Sequence, residues 1–305
     1  MTMAGTLNKD NMDTVAVSRT DDAPPMSSIA ACWTLYALTL RQHVHGRRWI
    51  AAALLFLLPA GMAIVIRLTG APVPGRFLEF VLLWMLVPQA LLPLVALLYA
   101  SGIVQDEQEE QTITYLLVRP ISKPLIYVVK MAATWTTTIL LVIALTVLTY
   151  AAIYAGAGEE IAAVASRCIK TAAILSLAAV AYCSIFGAIS LLTKRTLIVG
   201  ILYTAIVEGL LASLPLSLRW GTIIYYTRMM AYRTLDFVVI WPRGRQDDVA
   251  AAAWFLNTET DPTLAEHPQL STCVLILASA SLVCTAFAGW LCSLREFHVK
   301  TPEKE

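Results

Sequence analysis

Six apolar runs dominate the chain, each bounded by a short polar break. They fall at roughly Trp49–Leu68, Phe77–Val104, Lys130–Tyr154, Ala172–Leu192, Leu197–Leu214 and Cys273–Leu294. About 20 mainly apolar residues suffice for a helix to cross a hydrocarbon core, and runs of this length argue for spanning helices rather than strands. Ahead of the first run, Ile29, Trp33, Tyr36, Leu40 and Val44 recur at helical spacing, with Arg41, Arg47 and Arg48 crowding the end. That spacing predicts an amphipathic helix over 28–48 lying on a membrane surface. Residues 1–27 are polar, lack the apolar core of a signal peptide, and read as a disordered tail; 295–305 form a second tail.

Composition agrees with the pattern. Of 305 residues, 58% are hydrophobic and 14% charged, against ~45–50% and ~25% in soluble chains. The fold class is therefore an all-α membrane protein with six transmembrane helices over 49–294. Charge sets the orientation. With both termini in the cytosol, the inner loops collect Arg41, Arg47, Arg48, Arg119, Lys123, Lys194, Arg195, Arg295, Lys300 and Lys304, while the short outer loops keep Arg67, Arg76, Arg167 and Lys170. Cations in short loops resist translocation, so this orientation is favoured. Five arginines in the long piece before the sixth run do not count against it, because long loops cross regardless of charge.

That piece, 215–272, is the only large extramembrane segment. Its first part interleaves Trp220, Tyr225, Tyr226, Tyr232, Phe237 and Trp241 with arginines, which suits a helix lying on the outer interface or dipping back into it. Its second part reads as a short outer helix followed by a loop. Basic residues beside aromatics also occur in nucleic-acid binders, but the side of the membrane excludes that partner. Pro59, Pro88 and Pro93 fall within the first two runs, where each removes a backbone hydrogen bond and favours a kink.

Inside the runs Glu208 is the outstanding ionisable residue. A carboxylate at that depth costs ~2.5–3.5 kcal/mol on insertion scales and faces protein or water. Glu208, with Tyr203 shortly before it, is the candidate for a substrate pathway; an interhelical hydrogen-bond partner is the plainer alternative. His43 and His45 have no further ligand in view, and the six cysteines show neither metal-ligand nor disulfide spacing. No metal site is expected.

The polar burst between the second and third runs, "QDEQEEQTITYLLVRPISK" from Gln105 to Lys123, is locally specified as a helix over 105–118. Asp106 is placed to cap it, Glu109 stands three residues on as in a capping box, and Glu107, Glu109 and Glu110 complement the positive end of the helix dipole. Ile113, Leu116 and Leu117 line one face, and Pro120 and Pro124 end the helix before the next span. A short cytosolic helix with an apolar face needs a covering partner, either the membrane surface or another protein.

Together with the layout of the whole chain, the stretch "EQEEQTITYLLVRPISKPLIYVVK" resembles the signature of ABC-2 type transporter permeases, the transmembrane subunits of ATP-binding-cassette exporters. The matching positions are Glu107, Glu109, Thr112, Leu116, Leu117, Pro120, Ser122, Lys123 and Lys130; Gln108 and Gln111 replace the usual arginine and glycine. The resemblance implies that 105–118 is a coupling helix docking into an ATPase subunit, with Asp106, Glu107, Glu109, Glu110, Thr112, Ile113, Leu116, Leu117, Arg119, Pro120 and Lys123 as the coupling residues. It further implies a second permease protomer, identical or related, export as the direction, and a bacterial inner (plasma) membrane.

The chain itself carries no Gly-Lys pair and so no phosphate-binding G-x-x-x-x-G-K-[ST] loop, nor H-E-x-x-H or G-x-S-x-G. It is expected not to be an enzyme and to bind no cofactor directly, ATP and Mg acting through the partner. Two other functions stay open: a carrier or channel driven by an ion gradient, which calls for more intramembrane carboxylates or broken helices, and a noncatalytic scaffold recruiting a cytosolic protein.

Overall fold

The computed structural model describes residues 28–103, 122–193, 195–213, 217–241, 244–256 and 267–294. Helix α1 (Ser28–His45) is followed after Gly46 by α2 (Arg47–Leu68). Next come α3 (Gly75–Ala100), α4 (Lys123–Tyr154), α5 (Ile161–Leu192) and α6 (Thr196–Leu210). Then follow α7 (Ile223–Thr234), a hairpin of β1 (Val238–Ile240) and β2 (Gln246–Asp248), the short α8 (Val249–Ala253), and α9 (Leu270–Leu294). The end of the bundle where α3 finishes and α4 starts is termed proximal and the opposite one distal.

Five helices, α2, α3, α4, α5 and α9, are long and apolar enough to cross a membrane. The expected fifth span, 197–214, departs from the prediction. Its helix α6 covers only Thr196–Leu210, about 22 Å at 1.5 Å per residue, short of a hydrocarbon core of about 30 Å. It runs beside α5, with the Tyr203 ring edge-on to Phe186 at 5.8 Å, and ends at the level of Tyr182, which lies within the electrostatic reach of Glu208. From there α7 continues toward the distal end, where Lys170 Nζ, near the start of α5, donates to the Thr234 carbonyl at 3.3 Å. Two short helices thus lie in succession along α5 between Phe186 and Lys170. No residue of α7 is exposed: the aromatic segment expected at the outer boundary has its helix inside the bundle, packed on α5, α9 and α3. The rest of that segment adds a feature the all-α expectation lacks, the hairpin pairing Val238 with Asp248 and Ile240 with Gln246.

Proline placement explains part of the local geometry. Pro59 sits inside α2 without interrupting it. In α3 the winding changes: Phe80–Leu91, with Pro88 inside, forms a π-helical stretch, closed by a bond from the Leu92 N–H to the Val87 carbonyl five residues back. Pro93 follows directly as the second residue of the resumed α-helix, Leu92–Ala100, and removes a further backbone donor. The end of α6, Thr204–Leu210, is wound in the same wide register, with the Leu211 N–H on the Ile206 carbonyl. Such stretches are rare and usually short.

The bundle is organised around α5, which packs against α4, α9, α3, α7 and α6. Lipid tails are as apolar as leucine, so within a membrane close packing and polar contacts hold helices together rather than hydrophobic transfer. Gly187 of α5 lies where a Cβ would run into Met131 and Tyr127 of α4, and Gly200 of α6 where it would run into Leu97 of α3. The threonines of α4's inner face, among them Thr134, Thr138, Thr146 and Thr149, bond the carbonyl four residues back and so satisfy themselves within their own helix.

At the distal end an aromatic cluster of Phe80, Trp84, Phe237 and Trp254 seats the hairpin and α8 on α3. Asp248 caps α8 by accepting from the Ala250 and Ala251 N–H groups, and also accepts from Tyr232 Oη at 2.7 Å.

Only part of the expected apolar stripe of α1 faces the bundle. Leu35 and Thr39 are buried, Tyr36 Oη donates to Thr136 at 2.9 Å, and His43 is bonded to Thr137 at 3.2 Å, whereas Ile29, Trp33 and Val44 are exposed. The helix therefore has two apolar faces, one against α4 and one exposed among the described residues. His43 also lies edge-on to Tyr99. No disulfide joins any of the six cysteines.

Candidate functional site

The sequence-predicted coupling residues Asp106, Glu107, Glu109, Glu110, Thr112, Ile113, Leu116, Leu117, Arg119 and Pro120 lie outside the described residues. Their two anchors are described. On one side α3 ends its α-helix at Ala100 and the chain continues through Ser101 and Ile103, both buried. On the other, Ser122 stands in extended conformation before α4, Pro124 occupies its first turn, and Lys123 opens it. The final turns of α9 lie against this start: Cys292 Sγ donates to the Lys123 carbonyl at 3.8 Å, and a Cβ on Gly289 would lie 4.0 Å from Pro124. Lys130, a further position of the resemblance, is buried within α4. The segment 104–121 is thus strung between two helices whose ends are packed in the bundle.

Glu208 and Tyr203 come together where α6 meets α7. The Glu208 side chain is wholly buried and accepts from the Ile223 N–H at 3.1 Å, the Ile224 N–H at 3.0 Å and Tyr203 Oη at 3.4 Å. The two amides are the first of α7, whose third, from Tyr225, is taken by the Thr222 hydroxyl at 3.4 Å. A helix start inside a protein leaves N–H groups without acceptors and carries partial positive charge. The carboxylate answers both needs. Arg228, one turn further along α7 and 9% exposed, lies within the fields of Glu208 and Tyr182 and over the Trp254 ring at 5.9 Å. With the Gln89 amide of α3 assigned the orientation that sets its oxygen against the donor and its nitrogen against the acceptor, Arg228 Nη2 donates to Gln89 Oε1 at 3.0 Å and the Gln89 amide nitrogen donates to the Met85 carbonyl at 3.1 Å.

A second buried carboxylate, Glu79, escaped the sequence reading, which found Glu208 alone within the runs. It is 4% exposed near the distal start of α3. Tyr150 Oη and Tyr154 Oη of α4 donate to its two oxygens at 2.6 and 2.7 Å, and Tyr150 also bonds Thr171 of α5 at 2.9 Å. Arg167 Nε stands 3.7 Å from Glu79, and Arg167 Nη2 donates to Glu159 at 2.8 Å. The Arg167 guanidinium also lies 5.0 Å from the Tyr154 ring centroid. The spacing Tyr150–Tyr154, one helical turn, and Glu79 just after Phe77 were the available signals. Neither says that the residues meet.

These features define a polytopic α-helical membrane protein with buried polar joints and a connecting segment held between two packed helix ends. More particularly, the chain belongs to a transporter family: residues 46–208, just over half of it, match the family described as ABC-2 family transporter protein. The match runs from the start of α2 to the Glu208 joint. A search of curated proteins found no match. The chain is accordingly an ABC transporter permease, a multi-pass membrane protein whose class works in a lipid bilayer with an ATPase.

Proposed function

We propose that this permease forms half of an export pathway and is driven through its segment 105–118 by a separate ATP-hydrolysing subunit. The observation that carries this is the anchoring of that segment: it joins α3 and α4 directly, and α9 packs on its exit at Lys123 and Pro124. A force applied to it acts on the end of α3 and the start of α4 and, through Lys123 and Pro124, on the end of α9. ATP drives such a change only if the ATP-bound partner binds one conformation of the permease more tightly than the other. ATP and Mg would be held by that partner, the chain itself acting as no enzyme.

In this function both termini and 104–121 face the cytosol of a cell with the chain in its inner membrane, and a second protomer, identical or related, completes the pathway. Helix α1 would lie along the inner leaflet, its free face of Ile29, Trp33 and Val44 in lipid. Its contacts on α4 support that level: from Thr137 to Tyr154, α4 rises roughly 26 Å at 1.5 Å per residue, close to a hydrocarbon thickness. The six crossings of such a permease are then five whole helices plus the split pair α6 and α7.

Replacing Glu107, Glu109 and Leu116 together should abolish co-purification of the ATPase and any stimulation of its ATP hydrolysis by the permease. Retention of both would remove the coupling role. A broken helix beside a buried carboxylate also favours a gradient-driven carrier. Proteoliposomes of the permease alone, loaded with a pH-sensitive dye, separate the two: proton movement without the ATPase supports the carrier.

A further inference from the structure

The hydrogen bond between Gln89 and Arg228 joins the helix that feeds segment 104–121 to the helix that completes the split crossing. Gln89 follows Pro88 inside the π-wound middle of α3, where the ladder is already displaced by one residue and Pro88 contributes no N–H. That stretch is where α3 can bend with least loss of backbone bonding. The Gln89 amide is fixed at both ends, by the Met85 carbonyl on its own helix and by Arg228 Nη2. Arg228 cannot seek water instead. It is buried, with Trp254 on one side and with Glu208 and Tyr182 as the charged and titratable groups facing it. A displacement of α3 at Gln89 must therefore carry the guanidinium along or strand it without its acceptor in an apolar interior. Apolar contacts between the same helices could slide; this one cannot.

We propose that Gln89 is a positioning residue that transmits movement of α3 to α7 through Arg228, so that the distal half of the split crossing shifts together with segment 104–121. The proposal rests on the ATP-driven role given above. The Glu208 clasp on the start of α7 then makes α7 move as a unit with the end of α6.

The test uses the full permease with its ATPase in lipid nanodiscs, comparing amide hydrogen exchange without nucleotide and with ATP plus vanadate. In the unaltered protein, exchange should change both at 122–130, the exit of the coupling segment, and at 223–234. Gln89→Met should keep the change at 122–130 and lose it at 223–234. The pair Gln89→Met with Arg228→Met removes the stranded cation, so folding is preserved, and the loss at 223–234 should persist. Gln89→Glu restores an acceptor and should keep both changes. A nucleotide response at 223–234 that survives in either Met variant overturns the proposal, as does an unaltered protein that responds only at 122–130. No response at 122–130 in the unaltered protein would instead refute the ATP-driven role itself.

Discussion

Glu79 and Glu208 are both carboxylates buried within apolar helices, yet they are stabilised by different means. Glu79 has side-chain partners gathered from two other helices: hydroxyls of Tyr150 and Tyr154 and the guanidinium of Arg167. Glu208 has chiefly backbone partners, the first amides of α7, with the hydroxyl of Tyr203 beside them. The first arrangement neutralises a charge with a charge and locks α3, α4 and α5 at the distal end. The second uses a charge to complete a helix that begins inside the bundle. An acidic residue in a spanning helix thus marks a joint in both cases, and the partner decides which kind.

The comparison can be broken from the Glu79 side first. Arg167→Met leaves the Glu79 carboxylate buried without its cation and should destabilise the protein by about 3–5 kcal/mol, read from denaturant unfolding in mixed micelles. Adding Glu79→Gln should recover much of that loss, because the uncompensated charge is then gone; no recovery would mean that the pair is not coupled. A smaller effect is expected at the other joint. Glu208→Gln keeps one acceptor for α7 but sets an amide NH2 against the second N–H, a loss of about 2 kcal/mol in the same assay, with faster exchange at Ile223 and Ile224. If exchange there stays unchanged, the carboxylate does not cap α7. The smallest loss belongs to Tyr154→Phe, about 1.5 kcal/mol, since Tyr150 continues to serve Glu79.

Much of this protein was legible along the chain because membrane insertion imposes length and apolarity on each helix separately. Those are one-dimensional properties. Four of the six predicted spans coincide with whole helices in their central parts, and the second, α3, begins close to where the apolar run does. The fifth run differs from its helix for a physical reason: apolarity continues to Leu214, but α6 ends at Leu210, where Glu208 supplies acceptors for the start of α7. Periodicity reports which residues avoid water, not where a backbone turns aside. Glu208 itself was found because a carboxylate in an apolar run is conspicuous. Glu79 sat near the edge of its run, where an acid looks solvated until Tyr150, Tyr154 and Arg167 are seen around it.

By itself the sequence determined that this is a polytopic helical membrane protein, which way its short loops bias it, that a proline-bracketed acidic segment interrupts it between the second and third runs, and that the chain carries none of the phosphate-binding or hydrolytic motifs sought in it. Each is a property of consecutive residues. Only the tertiary structure decided that the fifth run forms a short helix, that α7 lies within the bundle, and that Gln89 meets Arg228 across 139 positions of chain. Such pairings are set by how helices pack around α5, and helix packing depends on contacts between faces that no local pattern records.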